Sequence, residues 1–323
     1  MKAAVYYATG GPDVFRYEDV PDPMVHRNGV LIQVGAVGIQ GGDLLNRQGG
    51  ALMTNPHIVG YQAAGVVIAV GDDVTTLHVG QKVVATSAFG SHAELMSVPA
   101  SSAFAIPDSM SVRDAAGIPI EFGTADDCLF EFGGLKAGQT VLIQAGAGGV
   151  GLAAIQLARR AGAAMVLATA SSDDRLARLS AFGMDHGINY AHANVAAEVM
   201  RLTNGRGVDL VVDPVGGTTL EGSIASLAYR GRVSWVGRAG REERPPEIWP
   251  IMQKNGSIHG VFLGAEMALN PQRTRPMIEG LIARIAAGEL TVVTDKIFPL
   301  SEAAEAHRYI ESRAAFGRVL LEP

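Results

Sequence analysis

One stretch of the chain joins a strand-like apolar run, a cluster of glycines and a helix-like apolar pattern. Residues 141–145 are rich in β-branched side chains, 146–151 have the pattern G-x-G-G-V-G, and the helical pattern continues to Ala158. This order is typical of the opening of a dinucleotide-binding unit, where glycines let the backbone turn tightly and approach a pyrophosphate. The phosphate charge then lies against the N-terminus of the helix. The predicted cofactor-binding residues of this turn are Gly146, Gly148, Gly149, Val150 and Gly151.

The alternative interpretation of this stretch is a glycine-rich turn in an ordinary α/β protein. A bare G-x-G-x-x-G pattern is weak evidence on its own. Here a strand precedes it, a helix follows it, and a second strand-like run begins about 20 residues further on. These neighbours favour the dinucleotide-binding unit.

The composition is that of a globular protein and gives no sign of a membrane or nucleic-acid partner. The chain has 323 residues, 48% hydrophobic and 18% charged, a size that favours two domains. The net charge of −6, with no basic stripe, argues against nucleic acid, and no apolar run is long enough to cross a bilayer. The single cysteine, Cys128, excludes an internal disulfide and a cysteine-based zinc lobe. The opening residues predict a strand and not a signal peptide, so we expect a cytoplasmic protein.

The pattern of predicted elements changes near residue 107. Before it, strand-like runs at 29–37, 63–70 and 79–85 alternate with turns, which predicts a small, mostly antiparallel β domain. Residues 111–135 have a helical pattern with Ser111 as a candidate N-cap.

From 139 to 260, short apolar strands alternate with helices, which predicts the α/β class and a doubly wound parallel sheet. The strands of this sheet are predicted at 141–145, 165–170, 185–189, 208–213, 231–236 and 257–261. The chain then closes with a helix at 276–288, a strand at 290–298, a helix at 301–313 and a strand at 317–321.

Several motifs occur in a consistent order along the chain. They are the opening strand, Gly60-Tyr61-Gln62-Ala63-Ala64-Gly65-Val66-Val67, the glycine turn, Ile188-Asn189-Tyr190, Val212-Asp213-Pro214-Val215-Gly216-Gly217 and Glu311-Ser312-Arg313. Together they resemble the medium-chain dehydrogenase/reductase superfamily, and most closely its zinc-free quinone oxidoreductase, or zeta-crystallin-like, branch. The resemblance covers nearly the whole chain. It implies a Rossmann cofactor domain at 121–259 inserted into a mostly β, GroES-like catalytic domain at 1–120 and 260–323. It also implies a homodimer and an NADPH-dependent reduction.

The chain departs from the zinc-dependent members of that superfamily. Those enzymes hold a catalytic metal with a cysteine on the loop after an early strand and with a Gly-His-Glu motif. Here the loop at 37–43 has no cysteine and the motif is Gly60-Tyr61-Gln62, whose side chains are poor zinc ligands. We therefore expect no metal. Without a Lewis acid to stabilise an alkoxide, the acceptor must already be activated by conjugation, as in a quinone or an α,β-unsaturated carbonyl.

The residues after the second strand of the sheet favour NADPH over NADH. A site for NAD has a carboxylate at the end of this strand, whereas the strand here ends in Ser171-Ser172-Asp173-Asp174-Arg175. A hydroxyl and a guanidinium suit a 2′-phosphate. The resemblance places this phosphate against Ser171, Arg175, Tyr190 and Arg313. The alternative is that a serine caps a helix, that Arg175 is solvated, and that Asp173 reaches a ribose hydroxyl.

The resemblance also indicates which residues surround the nicotinamide. Those bearing on cofactor binding are Thr124, Gly237, Phe262 and Leu263. Gln40 and Tyr61 are the candidate catalytic residues, because their side chains are able to donate hydrogen bonds to the acceptor oxygen as it gains negative charge. The alternative is that Tyr61 fills the space of the lost zinc site and Gln40 bonds to backbone groups. We expect Asp43 to brace its loop.

Three other residues have interpretations that bear on the site. Asp126 and Asp127 are expected to be solvated helix residues, with selection of a polar or cationic acceptor as the alternative. Cys128 is expected to be buried in an apolar helix. His57 is expected on a loop surface.

Together, the residues and the resemblance predict an NADPH-dependent oxidoreductase that transfers hydride to a small-molecule acceptor, a quinone or an activated α,β-unsaturated carbonyl. One alternative is an enoyl-thioester reductase, with Arg238, Arg241 and Arg244 forming a basic entrance. The other is a low-turnover NADPH-binding protein with a structural, sensory or RNA-binding role, although the acidic net charge argues against RNA.

Overall fold

The computed structural model describes all residues 1–323, which form two compact units. The first unit contains Met1–Pro119 and Glu279–Pro323, and the second contains Ile120–Ile278. The later boundary lies at 278/279 and not at 259/260, because the segment 263–278 makes close contacts with other residues of the second unit. Leu263 packs over Gly123, and Arg273 forms an ion pair with Asp127.

The first unit is mostly β. Its strands are β1 (Lys2–Tyr6), β2 (Arg16–Asp19), β3 (Gly29–Gly38), β4 (His57–Ile58), β5 (Gln62–Val70), β6 (Lys82–Thr86), β7 (Leu95–Pro99), β8 (Ala103–Ala105), β15 (Thr294–Pro299) and β16 (Arg318–Glu322). Its α-helices are α1 (Gly41–Gly49), α2 (Val112–Ala115) and α10 (Ala303–Glu311).

Two sheets build this unit. One has the order β2-β1-β4, and the other has the order β15-β16-β3-β5-β6-β8, with β7 also paired to β3. Most pairs are antiparallel, and only β15 and β16 run in parallel. The core lies against the long strands β3 and β5, where residues such as Val30, Ile32 and Val67 are fully buried.

The second unit is a parallel sheet with helices. Its strands are β9 (Thr140–Ile143), β10 (Met165–Ala170), β11 (His186–Asn189), β12 (Val208–Asp213), β13 (Leu227–Trp235) and β14 (Ser257–Gly260). Its α-helices are α3 (Pro119–Asp126), α4 (Gly149–Arg160), α5 (Asp173–Leu179), α6 (Val195–Leu202), α7 (Gly217–Ala225), α8 (Leu263–Leu269) and α9 (Pro271–Ala286), the last of which continues into the first unit.

The six strands of this sheet have the order β11-β10-β9-β12-β13-β14 and all run in parallel. Counted along the chain, this is the order 3-2-1-4-5-6 of the Rossmann fold. Buried Leu142, Leu167 and Val211 from three neighbouring strands form the centre of its core. The predicted doubly wound sheet and its six strands are confirmed, with shifts of a few residues at some ends.

Two of the differences from the prediction concern helices near the site. The helical pattern at 111–135 is interrupted: α2 is followed by a break at 116–118, then by α3, and then by a π-helical turn at Asp127–Glu131. A helix that the sequence did not predict, α1, follows β3 directly. No helix of the structure has both the length and the apolar character required to span a bilayer.

Candidate active site

The glycine turn joins β9 to α4 at the carboxyl edge of the parallel sheet. Ala145 adopts a left-handed φ of 52°, the Gly146 N–H donates to the Thr169 carbonyl at 2.8 Å, and Gly148 is the N-cap of α4. The first backbone N–H groups of a helix have no partner within it. Gly149, Val150 and Gly151 form this first turn of α4, and free N–H groups at a helix N-terminus are the kind of donors that a phosphate meets.

The close packing of this turn explains why its last glycine is required. A Cβ on Gly151 would lie 2.5 Å from the Ala145 carbonyl oxygen and 2.7 Å from the Gly146 Cα. Any larger side chain would push the helix away from the turn. The start of α4 is thus packed closely on the glycine turn.

A buried polar network that was not predicted from the sequence connects the glycine turn to β10, β12 and α7. The Thr169 hydroxyl donates to Gln144 at 2.9 Å and accepts from the Ala145 N–H at 3.1 Å. Gln144 donates to Ser223, whose hydroxyl donates to Asp213 at 2.7 Å. The sequence contains an indication of this network, because Gln144 and Thr169 are polar residues within strand-like runs that are otherwise apolar.

Asp213 also closes the turn after β12. Its carboxylate accepts hydrogen bonds from the N–H groups of Val215 at 2.8 Å and Gly216 at 2.9 Å. Burial raises the pKa of Asp213, while these N–H groups and the Ser223 hydroxyl act in the opposite direction. The residue therefore joins two turns at the carboxyl edge of the sheet.

The ends of β10 and β11 bring two of the predicted 2′-phosphate residues, Ser171 and Tyr190, together. Ala170 is paired with Asn189, and the Tyr190 N–H donates to the Ala170 carbonyl at 3.2 Å. Ser171 therefore lies beside Tyr190, whose side chain is 43% exposed. Ser172, and not Ser171, caps α5 by accepting from the Arg175 N–H. The fourth predicted residue, Arg313, belongs to the first unit.

The second-unit residues that were predicted to lie near the nicotinamide are on α3 and after the last two strands of the sheet. Gly237 follows β13, and its carbonyl accepts from the Trp235 indole N–H at 2.7 Å. The Val261 N–H donates to the Trp235 carbonyl at 2.9 Å, which places Phe262 and Leu263 at the neighbouring strand end. The side chain of Phe262 is 74% exposed, whereas Leu263 is buried. Thr124 is buried in α3, one residue from the Gly123 against which Leu263 packs.

The prediction that Asp127 is a solvated helix residue is wrong. Its side chain is fully buried, and the Arg273 guanidinium donates to it at 2.7 Å and to Glu266 at 2.9 Å. Burial raises the pKa of Asp127, with Arg273 opposing this shift, and Arg273 lowers the pKa of Glu266. These ion pairs connect the π-helical turn after α3 to α8 and α9. Cys128 next to Asp127 is buried as expected, and burial raises the pKa of its thiol.

In the first unit, Gln40 and Tyr61 lie at the beginning of α1. Gln40 is buried and is the N-cap of this helix, and its N–H donates to the Asp43 carboxylate at 2.8 Å. A Cβ on Gly42 would lie 2.5 Å from the Tyr61 hydroxyl oxygen, so the phenol packs directly on the first turn of the helix. The predicted role of Asp43 as a brace is confirmed.

Further contacts hold this part of the first unit. The Arg47 side chain of α1 is fully buried and pairs with Glu311 of α10. Arg318 of β16 donates to the Ile39 carbonyl, just before Gln40. Each end of the 39–47 segment is therefore held by an arginine contact with a residue that is distant in sequence: Arg47 with Glu311, and Ile39 with Arg318.

A buried histidine cluster lies in the same unit. His92 and His307 face each other with their Nε2 atoms 3.1 Å apart, and burial lowers the pKa of both. His57 is 2% exposed and packs edge-on against Tyr6, so the expectation of a surface histidine is wrong. Burial lowers the pKa of His57 too.

Comparison with known proteins agrees with this geometry. The zinc-binding dehydrogenase family matches residues 149–283, and the alcohol dehydrogenase GroES-like domain family matches residues 26–108. The 2-haloacrylate reductase of a Burkholderia species is 32% identical over 100% of this chain and 99% of its own. The quinone oxidoreductase of Sus scrofa is 31% identical over 99% of this chain and 97% of its own.

A solved structure extends the comparison. The quinone oxidoreductase of Escherichia coli, crystallised with NADPH, has a TM-score of 0.95 and 27% identity, with 100% of each chain covered. The chain belongs to the medium-chain dehydrogenase/reductase superfamily. Within it, the chain lies in the branch of the quinone oxidoreductases and the 2-haloacrylate reductase.

In this superfamily member, the positions of the catalytic zinc ligands carry other chemistry. Gln62 is fully buried, and its amide donates to the Ala116 carbonyl, so it serves as a structural hydrogen-bond donor. The structure contains no group of three or more His, Cys, Asp or Glu residues arranged to hold a metal ion.

Proposed function

We propose that this protein is an NADPH-dependent oxidoreductase that reduces quinones or activated α,β-unsaturated carbonyls without zinc. The observation that carries the proposal is the glycine turn at 146–151, which packs against α4 and is hydrogen-bonded to a buried polar network. The neighbouring strand β10 is followed by the neutral residue Ser171. Relatives in the same branch, among them a quinone oxidoreductase solved with NADPH, support the proposal.

The acceptor class follows from the residue types at the former zinc positions. Tyr61 and Gln62 supply a phenol and an amide, which are poor zinc ligands, and the Gln62 amide is already engaged with the backbone. Stabilising an alkoxide by a Lewis acid is then not how this site would work. A conjugated acceptor needs only a hydride and hydrogen bonds to its oxygen.

NADPH supplies the hydride when it is bound. For the protein, we assign Gln40 and Tyr61 to hydrogen bonding with the acceptor oxygen, which gains negative charge during reduction. Their support is their common position at the first turn of α1, where Asp43 and Arg47 hold the backbone. We expect Tyr61→Phe to lower kcat by about a hundredfold if this hydrogen bond forms in the transition state.

For the cofactor, we assign the 2′-phosphate to Ser171, Arg175, Tyr190 and Arg313. Thr124, Gly237, Phe262 and Leu263 are assigned to the nicotinamide. The close approach of Ser171 and Tyr190 at the ends of β10 and β11 supports the first set.

The competing enoyl-thioester reductase would need a basic entrance. Arg244, one of its three candidate arginines, already pairs with Glu221 at 2.6 Å. Glu242 in the same loop accepts from Thr218 and adds negative charge. These contacts weaken the case for a phosphate-binding entrance there.

The test is the loss of NADPH absorbance with 1,4-benzoquinone, with an enone and with a crotonyl thioester, each with and without EDTA. We expect turnover of the quinone or the enone, unchanged by EDTA. Turnover of the thioester alone would favour the enoyl-thioester reductase. Tight NADPH binding without turnover of any acceptor would favour the non-enzymatic alternative.

We also propose a homodimer formed at the outer edge of the parallel sheet. β14 is an edge strand, bonded only to β13, and its other side offers unpaired backbone groups. Exposed apolar side chains precede it in the chain: Ile248, Trp249 and Met252. A second copy of this chain would satisfy the strand edge and cover these side chains.

A further inference from the structure

A hydrogen-bonded pair of side chains links the beginning of α5 to the end of β11. The Asn189 side-chain amide donates to the Asp173 carboxylate at 2.9 Å. The side-chain oxygen of Asn189, Oδ1, in turn accepts from the Ala191 N–H at 3.1 Å. Because this oxygen already faces a backbone donor, the amide NH₂ group must face Asp173. The orientation of Asn189 is therefore set by the main chain.

The position of this pair matters for cofactor choice. In Rossmann sites for NAD, a carboxylate after the second strand accepts from the ribose 2′-hydroxyl, and such a negative charge repels a 2′-phosphate. The second strand here is β10, and Asp173 is the first carboxylate after it. The chain thus has a carboxylate close to where an NAD-binding enzyme uses one.

The sheet order shows where Asn189 holds that carboxylate. β11 is the edge strand, and β10 separates it from β9 and the glycine turn. The pairing of Asn189 with Ala170 fixes its backbone in the sheet. Asp173 is therefore held towards the outer edge of the sheet, on the far side of β10 from the glycine turn.

We infer that Asn189 determines cofactor specificity by engaging the Asp173 carboxylate in a hydrogen bond, so that this carboxylate does not accept from the ribose 2′-hydroxyl and the 2′-position is left to Ser171, Arg175 and Tyr190. The inference rests on the proposed function, since it requires NADPH to be the cofactor. Asn189 acts through Asp173 and is a positioning residue. It is expected to change the choice between the two cofactors and not the strength of binding in general.

The experiment measures dissociation constants of NADPH and NADH by calorimetry, with no acceptor present. In Asn189→Ala, the freed carboxylate should reach the ribose, so the ratio of the two constants should move towards NADH by about 3- to 10-fold, the net effect of one ordinary hydrogen bond. Adding Asp173→Ala to this variant should restore the wild-type ratio. Adding Asp174→Ala is the matched control, because Asp174 is the adjacent exposed carboxylate outside the pair, and it should restore nothing.

Each result has a defined meaning. Equal weakening of both cofactors in Asn189→Ala, or no rescue by Asp173→Ala, would overturn the role of Asn189 while leaving the NADPH assignment intact. A wild-type protein that binds NADH as tightly as NADPH would overturn the cofactor assignment itself, and the inference with it. Thermal unfolding of the Asn189→Ala protein at the wild-type temperature shows that the fold is retained.

Discussion

At the scale of single residues, the buried His92–His307 pair makes stability depend on pH. Both side chains are fully buried, and their Nε2 atoms share one hydrogen bond. Burial lowers the pKa of His92 from 6.5 to about 3, and burial, together with the nearby His92 and Arg47, lowers the pKa of His307. Both must therefore be neutral in the folded protein, since protonation of the acceptor nitrogen would set two N–H groups against each other.

This pair predicts how stability depends on pH. The unfolded chain takes up protons on both histidines as the pH falls below about 6.5, whereas the folded protein does not, so the free energy of unfolding should fall as pH is lowered. Each histidine contributes up to about 1.4 kcal/mol per pH unit. In urea unfolding between pH 7.5 and 5, His307→Gln should have a smaller slope than the wild type. Replacing the exposed His186 by Gln is the control, and an equal slope in both variants would contradict the prediction.

The same burial explains which residue interpretations failed. The sequence placed His57 on a loop surface and Asp127 in solvent, because polar residues in loops and short helices are usually exposed. The structure buries both, and Asp127 is compensated by Arg273, which lies far away in sequence. Local sequence does not reveal such a partner. Asp43 was interpreted correctly because its partner, Gln40, lies within the same turn.

At the scale of elements, Arg273 of α9 holds the π-helical turn after α3 and the helix α8 together through its ion pairs with Asp127 and Glu266. Arg273→Met would leave a buried carboxylate without its partner, and we expect the free energy of unfolding at pH 7.5 to fall by about 3–5 kcal/mol. Adding Asp127→Asn should recover part of this loss, since it removes the uncompensated charge. Arg284→Met is the control: its pair with Glu289 is solvent-exposed, and we expect less than about 1 kcal/mol. The measurement is urea unfolding. An equal fall in the free energy of unfolding in Arg273→Met and Arg284→Met would contradict the stabilising role of the Asp127–Arg273 pair.

The elements were predicted best where the hydrophobic period and the glycines agree. β10 and β12 have the predicted bounds, and α4 begins at the glycine turn. The helical pattern at 111–135 was too coarse, because Gly117 and Pro119 interrupt it. α1 was missed: glycines at both of its ends and a Gln N-cap are weak helix signals, and the helix is held instead by Arg47 and Asp43 through buried contacts.

At the scale of the whole molecule, the open edge of β14 predicts the oligomeric state. Light scattering should give a mass twice that of the 33.7 kDa chain. The double variant Trp249→Glu/Met252→Glu should shift the protein towards monomer, because charge replaces exposed apolar side chains beside the strand edge. Val79→Glu, on an exposed apolar residue of the first unit, should remain dimeric. A wild-type monomer would contradict the proposed homodimer.

The sequence by itself determined the class of the sheet, the glycine turn and the superfamily, since these depend on periods, turns and motifs that are local in the chain. The tertiary structure alone decided which side chains are buried and paired: the network from Thr169 to Asp213, the Asp127–Arg273 pair and the hold of Asn189 on Asp173. The physical reason is that the energy of a buried or oriented polar group depends on its partner. Those partners come from other strands and helices, and only folding brings them within hydrogen-bonding distance.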